Sequence, residues 1–497
     1  MQGTHGEACI MKHCPSNVAV AFTLLAGAMA AALCAMPTPV EGPEHACSAG
    51  CNHHVEANGI QCADLPAGLP ISMCFTADAD PAFVADVTQR LINVWLNGGM
   101  DGGLAYELAA RWNLNGSSAQ GQPLQIRWSV VPDGVTIPDQ LGLGIGSAPN
   151  NVNATLATRF GSLENGKDLI RQVFQRWSDL TGLSYVEVTD DGATWGSAGG
   201  TTRGDVRIAG RGLTSTSILA YNQFPNNGDM VLNSDASWGP TANNYRYFRN
   251  IVAHEHGHGI GLEHVCPTST TKLMEPFIFT NVDGPQIDDI RGAQRQYGDN
   301  LEAASDALAN AAIPTNAEGL TSYTNLSIDD NSDVDLWKIV ATAGTKVSLT
   351  VIPQGGTYTA GPQTSACNTG TSITASSIQN LKIDVLNSAG TILTTQDVNT
   401  LGQAEVLSNY EFTTAGTYYL RVAPVTTTND LQLYTANLTI TPVPALPADT
   451  NGDGLVNAAD LGVLLAAWGS SLAIADINDD GIVDGNDLGL MLSSWTL

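Results

Sequence analysis

Basic residues are scarce in this sequence. Its 497 residues include 20 Lys+Arg against 48 Asp+Glu, a formal charge of −28. A surface that acidic repels nucleic acid and anionic membranes, so both are excluded as partners. Charged residues of both signs reach only 14%, while 43% are hydrophobic, which excludes a disordered polyelectrolyte. After residue 35 no apolar run approaches the roughly 18 residues of a membrane span. Histidine is rare as well: nine in all, with none between His54 and His254. What remains is a chain too long for one core, with 51 Gly and a second half rich in Thr, Ser and Asn.

The N-terminus carries an apolar stretch. Lys12 and His13 precede Val18 to Leu33, and small residues and Pro37 follow. This reads as a secretory signal over residues 1–35, with an N-terminal anchor helix as the alternative. Export makes disulfides the simplest use of Cys47, Cys51, Cys62 and Cys74 in the segment 36–80, a possible pro-segment. Three pairings are open, and a metal site with His45, His53 and His54 is a rival.

Residues 81–300 show mixed α and β patterning. Gln125–Val131, Tyr185–Val188 and Asp205–Ala209 alternate as strands, and Leu163 to Leu180 recurs at helical spacing. Further helices are expected over Tyr245–Gly259 and Pro285–Tyr297. Residues 301–315 read as a linker. Residues 316–443 hold short alternating runs such as Lys346–Ile352, Leu381–Leu386 and Thr417–Val422, the pattern of an all-β sandwich. Pro-rich residues 444–448 form a second linker, and 449–497 contain two copies of one acidic motif.

The segment His254-Glu255-His256-Gly257-His258-Gly259-Ile260-Gly261-Leu262-Glu263-His264 concentrates the chemistry. His254 and His258 are four apart, so on a helix they share a face and can hold one ion. Gly261 permits the positive φ that turns the chain back and brings His264 round as a third ligand. Three imidazoles leave a fourth tetrahedral position open, as in catalytic zinc sites. Zinc lowers the pKa of bound water to about 7 and polarises a carbonyl. Glu255 is placed to take the water's proton and pass it to the leaving amine. His256 points to the opposite face and is expected to be packed.

The motif resembles the metzincin metallopeptidases, and within them the matrixins, the matrix metalloproteinase-like group. Lys272-Leu273-Met274-Glu275-Pro276 looks like their Met-turn, with Met274 beneath the zinc ligands. Ala220–Pro225, Gly228–Trp238 and Gln286–Gly298 resemble the matrixin segments flanking the active-site helix. The resemblance implies an α+β catalytic domain with one catalytic zinc and Glu255 as base. It differs where matrixins bind a structural zinc, since Tyr221 and Val231 stand where two histidines are expected, so no structural zinc is predicted. Asp229 and Asp235 remain calcium candidates. The Pro-Arg-Cys-Gly propeptide motif is absent; disulfides are the expectation for Cys47 to Cys74, with one of them capping the zinc as the alternative, and Cys266 is left to pair or to sit near the site.

Residues 316–443 resemble the bacterial pre-peptidase C-terminal domains, a spacer or substrate-binding module, with Asp333 and Asp335 either calcium ligands or polar turn residues. In the tail, Asp449, Asn451, Asp453, Leu455 (by its carbonyl), Asn457 and Asp460 occupy the ligand positions of a twelve-residue calcium loop. Asp476, Asn478, Asp480, Ile482, Asp484 and Asp487 repeat them. With the near-duplicate stretches Leu461–Trp468 and Leu488–Trp495, the pair resembles a type I dockerin: small, α-helical, binding two calcium ions and docking to a cohesin-like partner. The expectation is a secreted zinc endopeptidase acting on extracellular proteins, with attachment to the cell surface as one use of the tail. One rival is a non-catalytic binding or scaffold protein with a vestigial zinc site, against which an intact Glu255 argues; a second is a zinc hydrolase acting on something other than peptide.

Overall fold

The computed structural model describes residues 71–80, 83, 84, 87, 106–114, 119–302, 306–316, 318–363, 367–426, 428–443 and 446–496. The expected signal, Cys47, Cys51 and Cys62, and His45, His53 and His54 lie outside the described residues. Among the described residues no helix is long and apolar enough to cross a membrane.

The strands that position the site are β1 (Ile71–Phe75), β2 (Leu124–Val130), β3 (Thr136–Ile137), β4 (Ala148–Pro149), β5 (Leu183–Glu187), β6 (Val206–Arg211), β7 (Ile218–Gln223) and β8 (Met230–Asn233). Six of them form one sheet in the order β1-β7-β8-β6-β2-β5, and β3 pairs with β4. Strands β2, β5, β6 and β8 run parallel, while β7 is antiparallel to β8. Every residue of β6, β7 and β8 is buried, as for strands covered on both faces. The sequence pattern sets the segment 36–80 apart from this six-stranded sheet. Instead β1 is its edge strand, antiparallel to β7 with Ile71 opposite Gln223 and Cys74 opposite Ala220.

Helices α1 (Val152–Phe160), α2 (Leu163–Leu180) and α3 (Ala242–Gly259) follow from capping and periodicity. Ser162 caps α2 by accepting from Asn165 N, and α2 buries Leu169, Ile170, Val173, Phe174, Trp177 and Leu180 on one stripe. That stripe shares a core with Trp128 of β2 and with Ile251 and Val252 of α3. A left-handed turn at Asn243, Asn244 and Tyr245 leads into the right-handed part of α3. Strand β9 (Val265–Cys266) and helix α4 (Ile287–Tyr297) complete this part, and α4 opens with a reciprocal cap between Gln286 and Asp289.

The C-terminal region is largely β. Its strands are β10 (Gly319–Ile328), β11 (Asp335–Ala341), β12 (Lys346–Pro353), β13 (Thr357–Pro362), β14 (Thr371–Thr374), β15 (Leu381–Asn387), β16 (Ile392–Gln396), β17 (Glu405–Glu411), β18 (Gly416–Pro424) and β19 (Gln432–Thr441). Two four-stranded sheets, β10-β19-β12-β17 and β11-β18-β15-β16, share a core that includes Trp337, Leu349, Ile383, Leu420 and Tyr434. A third sheet, β14-β13-β9, crosses back to the part that follows α3. Residues expected as the linker 301–315 pack rather than span, because Ala312 exchanges backbone hydrogen bonds of 2.8 Å with Leu336 and Lys338 beside β11.

Helix α4 docks on this region. Leu180 and Ile290 pack with Leu431 and Leu433, and the buried Arg291 guanidinium lies 3.1 Å from the Asp430 carboxylate. The tail holds α5 (Ala458–Ala466) and α6 (Gly485–Ser493), which close over Val456, Leu464, Val483 and Met491.

Candidate metal centre

Helix α3 places His254 and His258 one turn apart, and both are buried with Glu255 between them. Gly261 then takes φ +97°, and a Cβ there would sit 2.3 Å from Ala110 O, so both backbone and space require glycine. The turn returns His264 to the same point. The Nε2 atoms of the three rings are 3.0, 3.1 and 3.1 Å apart.

Each ring is held by its other nitrogen. His254 Nδ1 lies 2.7 Å from Leu273 O, His258 Nδ1 lies 2.7 Å from Leu262 O, and His264 Nδ1 lies 2.9 Å from Gln363 Oε1. Oxygen acceptors fix the proton on Nδ1, which leaves three Nε2 lone pairs facing one another. Lone pairs cannot hydrogen-bond to each other, so the arrangement needs a cation. Burial pushes all three imidazoles towards the neutral form, His254 to about 4 and His264 to about 3. Neutral imidazole is the ligand form, and the residues present fit zinc.

The Glu255 carboxyl is buried, which pushes its pKa up to about 8, while hydrogen bonds from the Cys74 thiol and backbone pull it down. Chain proximity alone points Cys74 to a disulfide with a neighbouring cysteine. Its place in β1 turns the thiol towards Glu255 instead, and the disulfide among the described residues joins Cys266 to Cys367. The Ser72 hydroxyl of the same strand is 3.0 Å from His258 Nε2.

Met274 lies under α3: a Cβ on Gly257 would meet its sulfur at 2.4 Å. The turn that carries Met274 is tied to α4 by Asp289, whose carboxylate accepts from Leu273 N at 2.8 Å and Met274 N at 3.0 Å. Glu275 shapes the other side of the turn, accepting from the backbone N–H groups of Ser269, Thr270, Thr271 and Lys272. Sequence reading misses Asp289, Glu275 and Gln363. The Gln286-x-x-Asp289 spacing signals a helix cap but not the second task of Asp289. His256 is packed, with Nε2 2.8 Å from Tyr185 Oη and its ring edge-on to Phe174.

The Tyr221 side chain is buried, with its hydroxyl 3.2 Å from Gln140 Oε1, and Val231 lies in the core of β8. Asp229 accepts from Arg207 N at 2.9 Å, and burial pushes its carboxyl up to about 8. Asp235 accepts from Thr214 N at 2.9 Å.

In the tail, Asp449, Asp453 and Asp460 bring carboxylate oxygens within 4.8 Å of one another. Asp449 accepts from Gly452, Asp453 and Gly454 N–H, and Asp460 accepts from Asn451 and Asn457 N–H. The second loop repeats this. Asp476 accepts from Asp480 and Gly481, and Asp487 from Ile477, Asn478 and Asp484. Gly454 and Gly481 sit at matching positions with φ +84° and +93°. Asn457 and Asp484 cap their helices, while Leu455 and Ile482 are exposed. A further group, Glu302, Asp306 and Asp333, also lies within 4.8 Å. Asp335, beside it in the chain, accepts from the Tyr434 hydroxyl.

The Matrixin family model matches residues 155–298. The chain is 30% identical over 181 residues to a hatching enzyme of Paracentrotus lividus, which covers 33% of this chain and 29% of that protein. It is 32% identical over 133 residues to an interstitial collagenase of Equus caballus, 26% of this chain and 27% of that one. The chain thus spans less than a third of the length of these relatives. Among solved structures, the pre-peptidase C-terminal domain of a collagenase from Bacillus anthracis covers 26% of this chain and 96% of its own. Its 10% identity and TM-score of 0.17 are too low to assign a fold. The matched residues 155–298 carry the three histidines, Glu255 and Met274.

Proposed function

We propose that the protein is a secreted zinc endopeptidase that hydrolyses peptide bonds of extracellular proteins. The observation that carries this is the convergence of three Nε2 atoms within 3.1 Å, each ring anchored at Nδ1, with Glu255 buried on the same helix. The matrixin match and the relatives named hatching enzyme and interstitial collagenase support it. His254, His258 and His264 would hold one zinc ion, which supplies Lewis-acid polarisation of the scissile carbonyl and acidifies water. Glu255 takes the proton of the attacking water and delivers it to the leaving amine, a role worth roughly 10²–10⁴-fold in rate. Met274 and Asp289 keep the floor of the site fixed. Replacing Glu255 by Ala and comparing proteolysis with the native chain tests the reading.

An extended substrate can pair with the edge of β7 by strand addition. Strand β1 occupies that edge in this fold. Access therefore requires β1 to leave.

The tail is read as a calcium-binding dockerin-like module. Asp449, Asn451, Asp453, Leu455, Asn457 and Asp460 would hold one ion, and Asp476, Asn478, Asp480, Ile482, Asp484 and Asp487 a second. Aspartates at matching positions with matching backbone bonds support this. Exposed Leu465, Leu490 and Leu492 on its helices, with Trp468 in the turn after α5, offer an apolar surface for a cohesin-like partner.

A further inference from the structure

The three histidines differ in where their second nitrogen is anchored. His254 and His258 use backbone carbonyls of Leu273 and Leu262, both inside the matched residues 155–298. His264 uses a side chain 99 residues onward, Gln363 Oε1 at 2.9 Å. Gln363 directly follows β13, and β13 pairs with β9 so that Gly361 faces Cys266 and Pro362 faces Val265. The Cys266–Cys367 disulfide and a 2.9 Å bond from Thr268 N to Cys367 O clamp the far side of the same loop. Gln363 is therefore bracketed by a strand pairing and a covalent link, both attached within two residues of His264.

An amide oxygen in that position sets the tautomer and the ring plane of His264. Without it, Nδ1–H is left buried and unsatisfied, and the ring is free to rotate its Nε2 away from the other two.

We infer that Gln363 is a positioning residue for the metal centre, so that the C-terminal β region completes the site carried by residues 155–298. The inference rests on the zinc reading above. Zinc affinity of the full chain, measured by competition with a chromophoric chelator, tests it without recourse to activity. The native chain should bind one zinc tightly, Gln363→Leu about 10–100-fold more weakly, and Gln363→Glu, which restores an acceptor, within a few-fold of native. Gln363→Asn keeps the amide but shortens its reach and should also weaken binding, which covers the case where Gln363→Leu does not fold. Equal affinity of the native, Leu and Asn forms overturns the inference and leaves the peptidase reading standing. A native chain that binds no zinc overturns both.

Discussion

The Ser72 hydroxyl lies 3.0 Å from His258 Nε2, so a residue of the first described strand touches the last turn of the site helix. Two residues further on, Cys74 lies beside Glu255 and lowers the pKa of its carboxyl. The strand thus meets both the ligand set and the base while holding the β7 edge. A chain that begins at Thr76 should hydrolyse a peptide substrate faster than the full chain, by about tenfold or more, since a factor of ten needs only about 1.4 kcal/mol. Equal rates for the two forms would show that β1 does not obstruct the groove.

Gly257 faces Met274 at a distance no side chain can share, since a Cβ at this position would lie 2.4 Å from the sulfur. Gly257→Ala should cost about 1–3 kcal/mol through overpacking, despite its better helix propensity. Denaturant melts of both forms measure it. An alanine variant as stable as the native chain would mean that Met274 is loosely held.

Four carboxylates, Asp299, Glu302, Asp329 and Asp333, have pKa values raised by burial first, and Glu302, Asp329 and Asp333 are raised further by neighbouring carboxylate charges. Unfolded carboxylates titrate near 4. The folded cluster retains its protons to higher pH, so its contribution to stability is full below about 4. It drains as pH rises towards the folded values, about 7 for Asp329. Glu302→Gln removes the cost of protonating Glu302 on folding, since burial and neighbouring carboxylates raise its pKa to about 10. In chelator, the variant should gain stability relative to native between pH 5 and pH 8, by on the order of 1 kcal/mol. Melting curves that shift in parallel would contradict this.

The site helix is legible in the sequence because an i, i+4 pair needs only the helix period, and Gly261 announces the turn that follows. The strand pattern of β2, β6 and β12 is legible for the same reason, each being a local alternation. What cannot be read depends on distant pairing. Ile71–Phe75 is a short, mostly apolar run whose partner begins at Ile218, and nothing local selects that edge. Cys74 looks like a disulfide cysteine because three others are near it in sequence. Register, not proximity in the chain, aims it at Glu255. Gln363 is an ordinary loop glutamine until β13 crosses back to β9.

The tail contains eight Asp and neither Lys nor Arg. Its core is small, with Val456, Leu464, Val483 and Met491 at the centre. On the calcium reading proposed for this segment, bound cations offset its charge. A chelator should abolish the far-ultraviolet helical signal of α5 and α6, read as the difference between the full chain and a chain ending at Pro447, and calcium should restore it. A tail signal indifferent to the chelator would rule out calcium-dependent folding.

The central claim is that Glu255 is the base of a zinc peptidase. The most direct measurement compares Glu255→Ala with the native chain, both started at Thr76 and loaded with one zinc, on casein or gelatin. The account predicts cleavage by the native form and a loss of roughly 10²-fold or more in the variant, with zinc still bound. Equal cleavage by the two forms, or none by the zinc-loaded native form, would contradict it.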